Sequence, residues 1–478
     1  MKKAEITVAE AIKVKLPLKE CLIGEAKFYR KVAIVVLPMI IQNTLSNIVG
    51  LLDNVMVGQV GTLAMSSVAI VNQLMFVYML CVWGALAGAG IFGTQFFGKK
   101  DFEGVRYTMR FKLIVALVIT TLAIIIFLIA GDSLINLYIS ADTPFAEAQE
   151  TLKLANKYLH IMLIGIIPFS IVQTYAGTIR ESGKTTLPMI ASMCAMLINF
   201  IFNILLIFGY MGFPKLGVAG AAIATVISRF VEFGIVITIA HSNHSSYAFI
   251  SGLYKNFHVP VRLIWPILSK SLPLLANEFF WSMGQAALLQ SYSIRGIQVI
   301  AAMNIANTIA QIFNEVFLSL GNSSSIVVGQ ELGAEHYINA RKYAWRMASL
   351  SVSSCLVMGT LLYCVAPIIP QFYNTEPEIR TLASEFIRVV SFVMPLNAFA
   401  NVAYFILRSG GKTMVTFLFD SCFSWLVSVP ASRLLTGHNA IPVQTVYLCV
   451  CSLEMIKCII GFVLVKKGVW VRNIVKKT

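Results

Sequence analysis

Glu278 is the residue of this sequence best placed to do chemistry. It stands in SLPLLANEFFWSMG, about 14 residues into an apolar run covering 264–289. At 1.5 Å per residue it lies roughly 20 Å along a helix, near the middle of a bilayer. A charge at that depth usually faces a bundle interior or a watery cavity. No Lys or Arg lies within one turn to neutralise it. It is a candidate ligand for a proton, a sodium ion or a cationic substrate. The plainer alternative is a structural acid bonded to Asn277. Pro273, about one turn earlier, frees a backbone carbonyl.

A second acid, Asp53, ends the first apolar run in NTLSNIVGLLDNVMVGQVG, where it reads equally as a cavity group or a loop carboxylate. Asn43 and Asn47 precede it at i,i+4 spacing, and Asn199 and Asn203 repeat that spacing in LINFIFNILL. Paired amides on one stripe coordinate an ion or join helices. A longer stripe runs through Asn304, Asn307, Gln311, Asn314 and Glu315, and Asn397 and Asn401 lie beside Pro395. Such stripes are expensive unless they face water or another polar helix. Met75, Phe76, Trp83, Phe279, Phe280, Trp281 and Tyr404 accompany these groups. Aromatic faces suit flat, hydrophobic cations, although most such residues only pack. Arg229 with Glu232 (i,i+3) and Glu454 with Lys457 (i,i+3) read as pairs that neutralise themselves on one helix face. Asp420 reads as an acid that meets a basic group near the surface.

The elements that position these groups follow from composition. Hydrophobic residues make up 58% of the 478 and charged residues 12%, whereas soluble domains carry about 25% charged residues. Runs of about 20 apolar residues cross a bilayer. Twelve fall near 32–52, 64–92, 113–131, 154–178, 187–209, 217–240, 264–289, 297–325, 347–367, 381–406, 413–431 and 443–465. They are too long and continuous for barrel strands, and helices satisfy the backbone bonds that hydrocarbon demands. On one side of these spans 29 Lys and Arg fall, against four in the opposite loops (Lys215, Arg295, Arg380, Arg433). That asymmetry predicts that both termini are cytoplasmic. It also accounts for the net charge of +15 without a nucleic-acid partner; the basic face meets anionic lipid.

The chain also carries one pattern twice. Pro38, Gly61, Asn72, Gln95, Gly98 and Arg106 recur 235 positions later as Pro273, Gly296, Asn307, Gln330, Gly333 and Arg341. Arg180, Gly183, Lys184 and Thr185 recur 228 positions later as Arg408, Gly411, Lys412 and Thr413. Two like halves predict an all-α membrane protein of twelve transmembrane helices in two pseudo-symmetric six-helix bundles, with a transport path between them. The expected layout is a cytoplasmic tail at 1–31, bundles at 32–240 and 264–465, a cytoplasmic linker at 241–263 and a tail at 466–478. The N-terminal tail lacks the short apolar core and cleavage site of a signal peptide. His241, His244 and His258 sit in the linker without a carboxylate or Cys to complete a metal site, so a solvated connection is expected. The nine cysteines include no CxxC pair and read as free packing thiols.

No HExxH, GxSxG or Walker A motif appears. GKTT at 183–186 has Thr178 where a phosphate loop needs glycine, and it follows a membrane span. The chain is therefore read as no enzyme and as needing no cofactor. Transport driven by an ion gradient fits what is present.

Several motifs resemble the multidrug and toxic compound extrusion (MATE) family: VMVGQVG at 55–61, FGTQFFGKKD at 92–101, RESGKTTLP at 180–188 and GVAGAAIATVISR at 217–229. So do VGQELGAEHYINARKYA at 328–344 and RSGGKT at 408–413. The resemblance runs over roughly 30–465. It implies an antiporter that expels drugs or organic cations as Na⁺ or H⁺ enters, with two bundles rocking about a cavity. The family's first-helix aspartate falls on Asp53 and its seventh-helix glutamate on Glu278, the latter with a Na⁺ site as one option. A fifth-helix acidic position of some members falls on Asn203, an amide here, with Asn199 one turn earlier. Lys184 and Lys412 stand where many members carry aspartate. The expected ligands are thus Glu278, Asp53, Asn277, Asn43, Asn47, Asn199, Asn203, Asn307, Gln311, Asn397 and Asn401. The expected partners are a small organic cation and membrane lipid, with the chain acting as a monomer. A lipid or lipid-linked precursor flippase is the nearest rival; a membrane enzyme, a receptor and a passive channel are more distant ones.

Overall fold

A computed structural model of the chain describes residues 7–139, 143–373, 375–438 and 440–476. Among them there is helix and no strand. Twelve long helical segments follow the apolar runs. They are α1 (Ala26–Gly58), α2 (Thr62–Lys99), α3 (Phe102–Asn136), α4 (Phe145–Glu181), α5 (Thr186–Phe208), α6 (Val218–Ser242), α7 (Val261–Ser293), α8 (Ile297–Gly333), α9 (Tyr337–Val365), α10 (Pro377–Ser409), α11 (Thr413–Gly437) and α12 (Val443–Lys467). Ten are long and apolar enough to cross a membrane by composition; α7 and α8 fall short because they carry the polar positions noted above. The protein is therefore an all-α membrane protein. Helix α4 begins at Phe145, nine residues ahead of the apolar run, which puts Lys153 and Lys157 in the N-terminal part of the helix, beyond its first two turns. That narrows the charge asymmetry without reversing it.

The chain forms two compact units. One comprises Met1–Ile40, Ile91–Asp101 and Trp265–Thr478, and the other Ile41–Gly90 and Phe102–Ile264. The break points fall inside α1, α2 and α7, so the ends of α1 and α2 belong with the second half of the sequence. In the unit Ile41–Gly90 and Phe102–Ile264, α6 packs on α4 and α5, and α3 packs on α4. Tyr78, Tyr158, Phe169 and Met162 lie in its apolar core. In the other unit, α10 packs on α8, α9 and α12. Phe386, Met394, Tyr292 and Tyr447 lie in one of its cores.

The sequence repeat meets itself in the first of these units. The ends of α2 and α8 cross at Gly98 and Gly333. A Cβ on Gly98 would fall on the Gln330 carbonyl, and a Cβ on Gly333 would fall on the Gln95 carbonyl. The recurring Gln–x–x–Gly is thus a reciprocal backbone contact: each glycine is absent of side chain because its twin's helix occupies the space.

The repeated arginine has a matching role. Arg106 of α3 donates to Ser251 O at 3.1 Å. Arg110, one turn on, donates to Leu253 O at 2.7 Å, Gly252 O at 2.8 Å and His258 O at 3.2 Å. Its twin Arg341 of α9 donates to Ala11 O at 2.5 Å and Val14 O at 2.9 Å, and Arg346 donates to Glu20 O at 2.8 Å. Two short helices, Val8–Lys13 and Leu18–Leu22, form this N-terminal segment. Lys342 pairs with Glu20 at 2.5 Å, which holds that exposed carboxyl below its usual range. In both cases the segment that leads into one half is held by arginines of the other half.

Gly98→Ala should lower the thermal midpoint of the purified protein by the equivalent of about 2 kcal/mol, because the opposing backbone cannot give way. Gly234→Ala, with nothing within 4 Å of its Cβ position, should leave the midpoint unchanged or raise it. Equal effects of the two substitutions would refute the close crossing.

Candidate functional site

Helices α1, α5 and α6 bring four of the polar side chains together. Asp53 is half-buried near the end of α1. Asn203 of α5 donates to Asp53 Oδ1 at 2.7 Å and to Asn199 Oδ1 at 3.1 Å. Asn199 Nδ2 donates in turn to Thr225 Oγ1 of α6 at 3.3 Å. Turned about its last torsion, the Asn199 amide would place its nitrogen 3.1 and 3.2 Å from the two Asp53 oxygens and still meet Thr225 at 3.3 Å. Either orientation leaves the same four residues clustered. Asn199 and Asn203 are buried, 5% and 1% exposed. The Asn203 Oδ1 is a buried acceptor with no hydrogen-bond partner. No Lys or Arg lies within 4 Å of Asp53 among the described residues.

Carboxylate, amide and hydroxyl oxygens are hard donors suited to Na⁺ or to a proton on the acid. An unsatisfied buried oxygen beside an unneutralised acid invites a cation. Thr225 went unnoticed in the sequence, although it sits in GVAGAAIATVISR. A mid-helix threonine usually bonds its own helix, and Thr225 does so as well, to Ala221 O at 3.0 Å.

Glu278 is half-buried on α7. Among the described residues it forms no ion pair within 4 Å; Arg408 and Asp420 are the charges near enough to act on it. Its neighbour Asn277 is buried and committed elsewhere. Asn277 Nδ2 donates to Asp420 Oδ2 at 3.2 Å and to Tyr404 Oη at 3.4 Å, while Ser421 Oγ donates to the Asn277 amide and backbone oxygens, both at 2.8 Å. Lys457 of α12 closes the knot, 3.1 Å from Asp420 and 3.0 Å from Glu454. Residues Leu418–Cys422 of α11 take the wider π-helical register, the kind of local insertion often found at functional sites. The Glu454–Lys457 pair therefore forms, and Asp420 finds its basic group 37 positions away in sequence.

The other self-neutralising pair does not form. Arg229 instead donates to Gly165 O at 3.4 Å and lies over the Phe169 ring at 4.9 Å, both on α4. Gly165 leaves the room that the arginine stem fills. No ion pair joins Arg229 to Glu232 among the described residues.

The remaining candidates are spread out. Asn43 and Asn47 are half-buried on α1. On α8, Asn304, Asn307 and Gln311 form an exposed strip, and Asn314 and Glu315 are half-buried. Asn397 is half-buried on α10; Asn401 packs over Gly321 of α8, with its Oδ1 lacking a partner. The linker is bound, not loose. His241 shares a 3.0 Å bond with the Tyr175 hydroxyl and stacks on Tyr254. Lys184 donates to Ser246 O at 2.7 Å and lies over the Tyr247 ring, which gives that lysine a structural reason. Nothing in the structure explains Lys412. A buried pair absent from the sequence reading joins Lys112 to Glu181 at 2.5 Å, with Thr178 at 3.2 Å and Gly90 leaving room beneath. All nine cysteines are free.

The MatE family model matches residues 38–205 and again 273–433, once in each half. The chain belongs to the MatE family. A probable multidrug resistance protein NorM of Bacillus cereus is 27% identical over 388 residues, covering 81% of this chain and 84% of that protein. Its counterpart in Thermotoga maritima is 24% identical over 412 residues, covering 84% of each. Among solved structures, a multidrug resistance MATE transporter of the MOP superfamily in its outward-facing conformation superposes with a TM-score of 0.84. It has 18% identity and covers 96% of this chain and 100% of that one. A MOP superfamily transporter from Pyrococcus furiosus gives 0.83 at 17% identity, over 96% and 100%. These neighbours share their fold with this MatE chain.

Lys457→Gln should destabilise the protein by about 3 kcal/mol, because two acids lose their shared cation in a buried setting. Adding Asp420→Asn should restore much of that loss. Thermal unfolding of the single and double variants decides it; additive losses would mean that the two groups do not interact.

Proposed function

We propose that this MatE protein is a secondary antiporter that exports drugs or organic cations in exchange for Na⁺ or H⁺ by alternating access. Its relatives named as probable multidrug resistance proteins support the substrate class. The observation that carries the coupling is Asp53, an acid without a basic partner among the described residues, held by Asn203 and flanked by Asn199 and Thr225. The coupling ion loads there, and Asn203 Oδ1 supplies the ligand that otherwise has none. Glu278 serves as a second acid that takes the organic cation or an ion. Where the organic cation and an ion compete for Glu278, one carboxylate cannot satisfy both at once, so loading one favours release of the other. Exchange follows if the two ions prefer different conformations. The chain acts as a monomer with both termini in the cytoplasm.

The test is efflux of a dye-like cation from proteoliposomes under imposed Na⁺ or H⁺ gradients. Asp53→Asn should uncouple efflux from the driving ion, and Glu278→Gln should abolish gradient-driven efflux without loss of folded protein. If Na⁺ drives the cycle, Thr225→Val should raise the half-saturating Na⁺ concentration about tenfold, the worth of one polar contact. Wild-type ion dependence in Asp53→Asn would reject the site.

A further inference from the structure

The residues after α12 lie across the crossing of α2 and α8. Trp470 is fully buried, with Nε1 donating to Val465 O at 3.1 Å. A Cβ on Gly410 would collide with the Trp470 carbonyl, so the turn after α10 is shaped to receive this segment. Beyond it, Gln95 of α2 grips the backbone from both sides. Its Nε2 donates to Arg472 O at 3.2 Å, and its Oε1 accepts from Ile474 N at 2.8 Å. The same Nε2 donates to Ser409 O of α10 at 2.9 Å. Lys99, also of α2, reaches Val475 O at 3.4 Å. Asn473 turns the other way, donating to Gly333 O and Glu335 Oε1, both at 3.4 Å, and Lys476 pairs with Glu335 at 3.0 Å.

Five positions of the tail, 472–476, therefore bond the end of a first-half helix and the end of its second-half twin. They do so at the crossing where Gly98 faces the Gln330 carbonyl and Gly333 faces the Gln95 carbonyl. A Cβ on Gly329 would meet Thr94 at the same crossing. Gln95 is buried with no exposure, so losing the tail leaves its Oε1 without a partner, while Nε2 keeps only the Ser409 carbonyl.

We propose that residues 469–476 form a strap that holds the ends of α2 and α8 together and must release before that crossing can part. The strap rests on the alternating-access reading, since parting of the halves on the lysine-rich side is the movement it restrains. Its hold on α2 is through its own backbone, with Gln95 and Lys99 as the partners, and its hold on the α8 end is through the side chains of Asn473 and Lys476.

The crossing supplies its own probe. The Cβ position of Gly329 lies 3.4 Å from Thr94 Cβ, close to the roughly 3.5–4.5 Å that a disulfide spans. The double variant Thr94→Cys, Gly329→Cys should therefore cross-link under mild oxidation, identified by the linked peptides. Ending the chain after Gly468 should slow that cross-link on the order of tenfold, the loss of two or three net hydrogen bonds. Gln95→Met in the chain that keeps residues 469–478 should slow it as well, which keeps the test open if the shortened chain folds poorly. Unchanged cross-linking in both backgrounds would overturn the strap. The readout needs neither substrate nor gradient. Tail-dependent cross-linking in a protein inert in efflux would thus leave the strap standing and remove the antiporter reading. Efflux with tail-independent cross-linking would do the reverse.

Discussion

Hydrocarbon offers no hydrogen bonds, and that scarcity organises this molecule. Every polar group carried into the membrane must find company within its own unit or face a hydrated space. The interior acids divide on this rule. Asp420 and Glu454 share Lys457, and Glu181 holds Lys112. Asp53, among the described residues, is held by the Asn203 amide, with Asn199 and the Thr225 hydroxyl beside it and no ion pair. The first group is committed chemistry, each acid already held by a lysine. The second has a vacancy of charge, which is what a protein needs if ions are to come and go.

The same scarcity explains the close helix contact. Lipid tails are as apolar as leucine, so helices in a membrane associate through packing and backbone proximity more than through expulsion of water. Gly98 and Gly333 remove the obstacles to that proximity at one point, reciprocally. A duplicated sequence makes such reciprocity cheap to specify. A residue that lets its own helix approach its twin's automatically has a partner doing the same.

Much of this was legible in the sequence. The two halves, the twelve spans, and Asp53 with Asn199 and Asn203 as separate candidates could all be read from spacing and composition. What escaped were partners supplied from distant positions. Thr225 looked like an ordinary helix threonine. Arg229 and Glu232 had the spacing of a pair, but Gly165 on a neighbouring helix gave the arginine somewhere else to go. Lys457 reaches Asp420 across a π-helical stretch that shifts register without a signal in the residues. Lys184, puzzling as a family departure, is an anchor for the linker. Helical periodicity reports which face a residue takes; it does not report what waits there.

The exchange of lead-in segments also makes each half depend on the other. Arg341 and Arg346 seat residues that precede α1, and Arg106 and Arg110 seat residues that precede α7. Each half thus finishes the other's doorway. Either half made alone would emerge with its entry segment unanchored and its arginines facing bare carbonyl-free surface. Carried on one polypeptide, the two halves always arrive together, so neither lead-in segment is without its arginines.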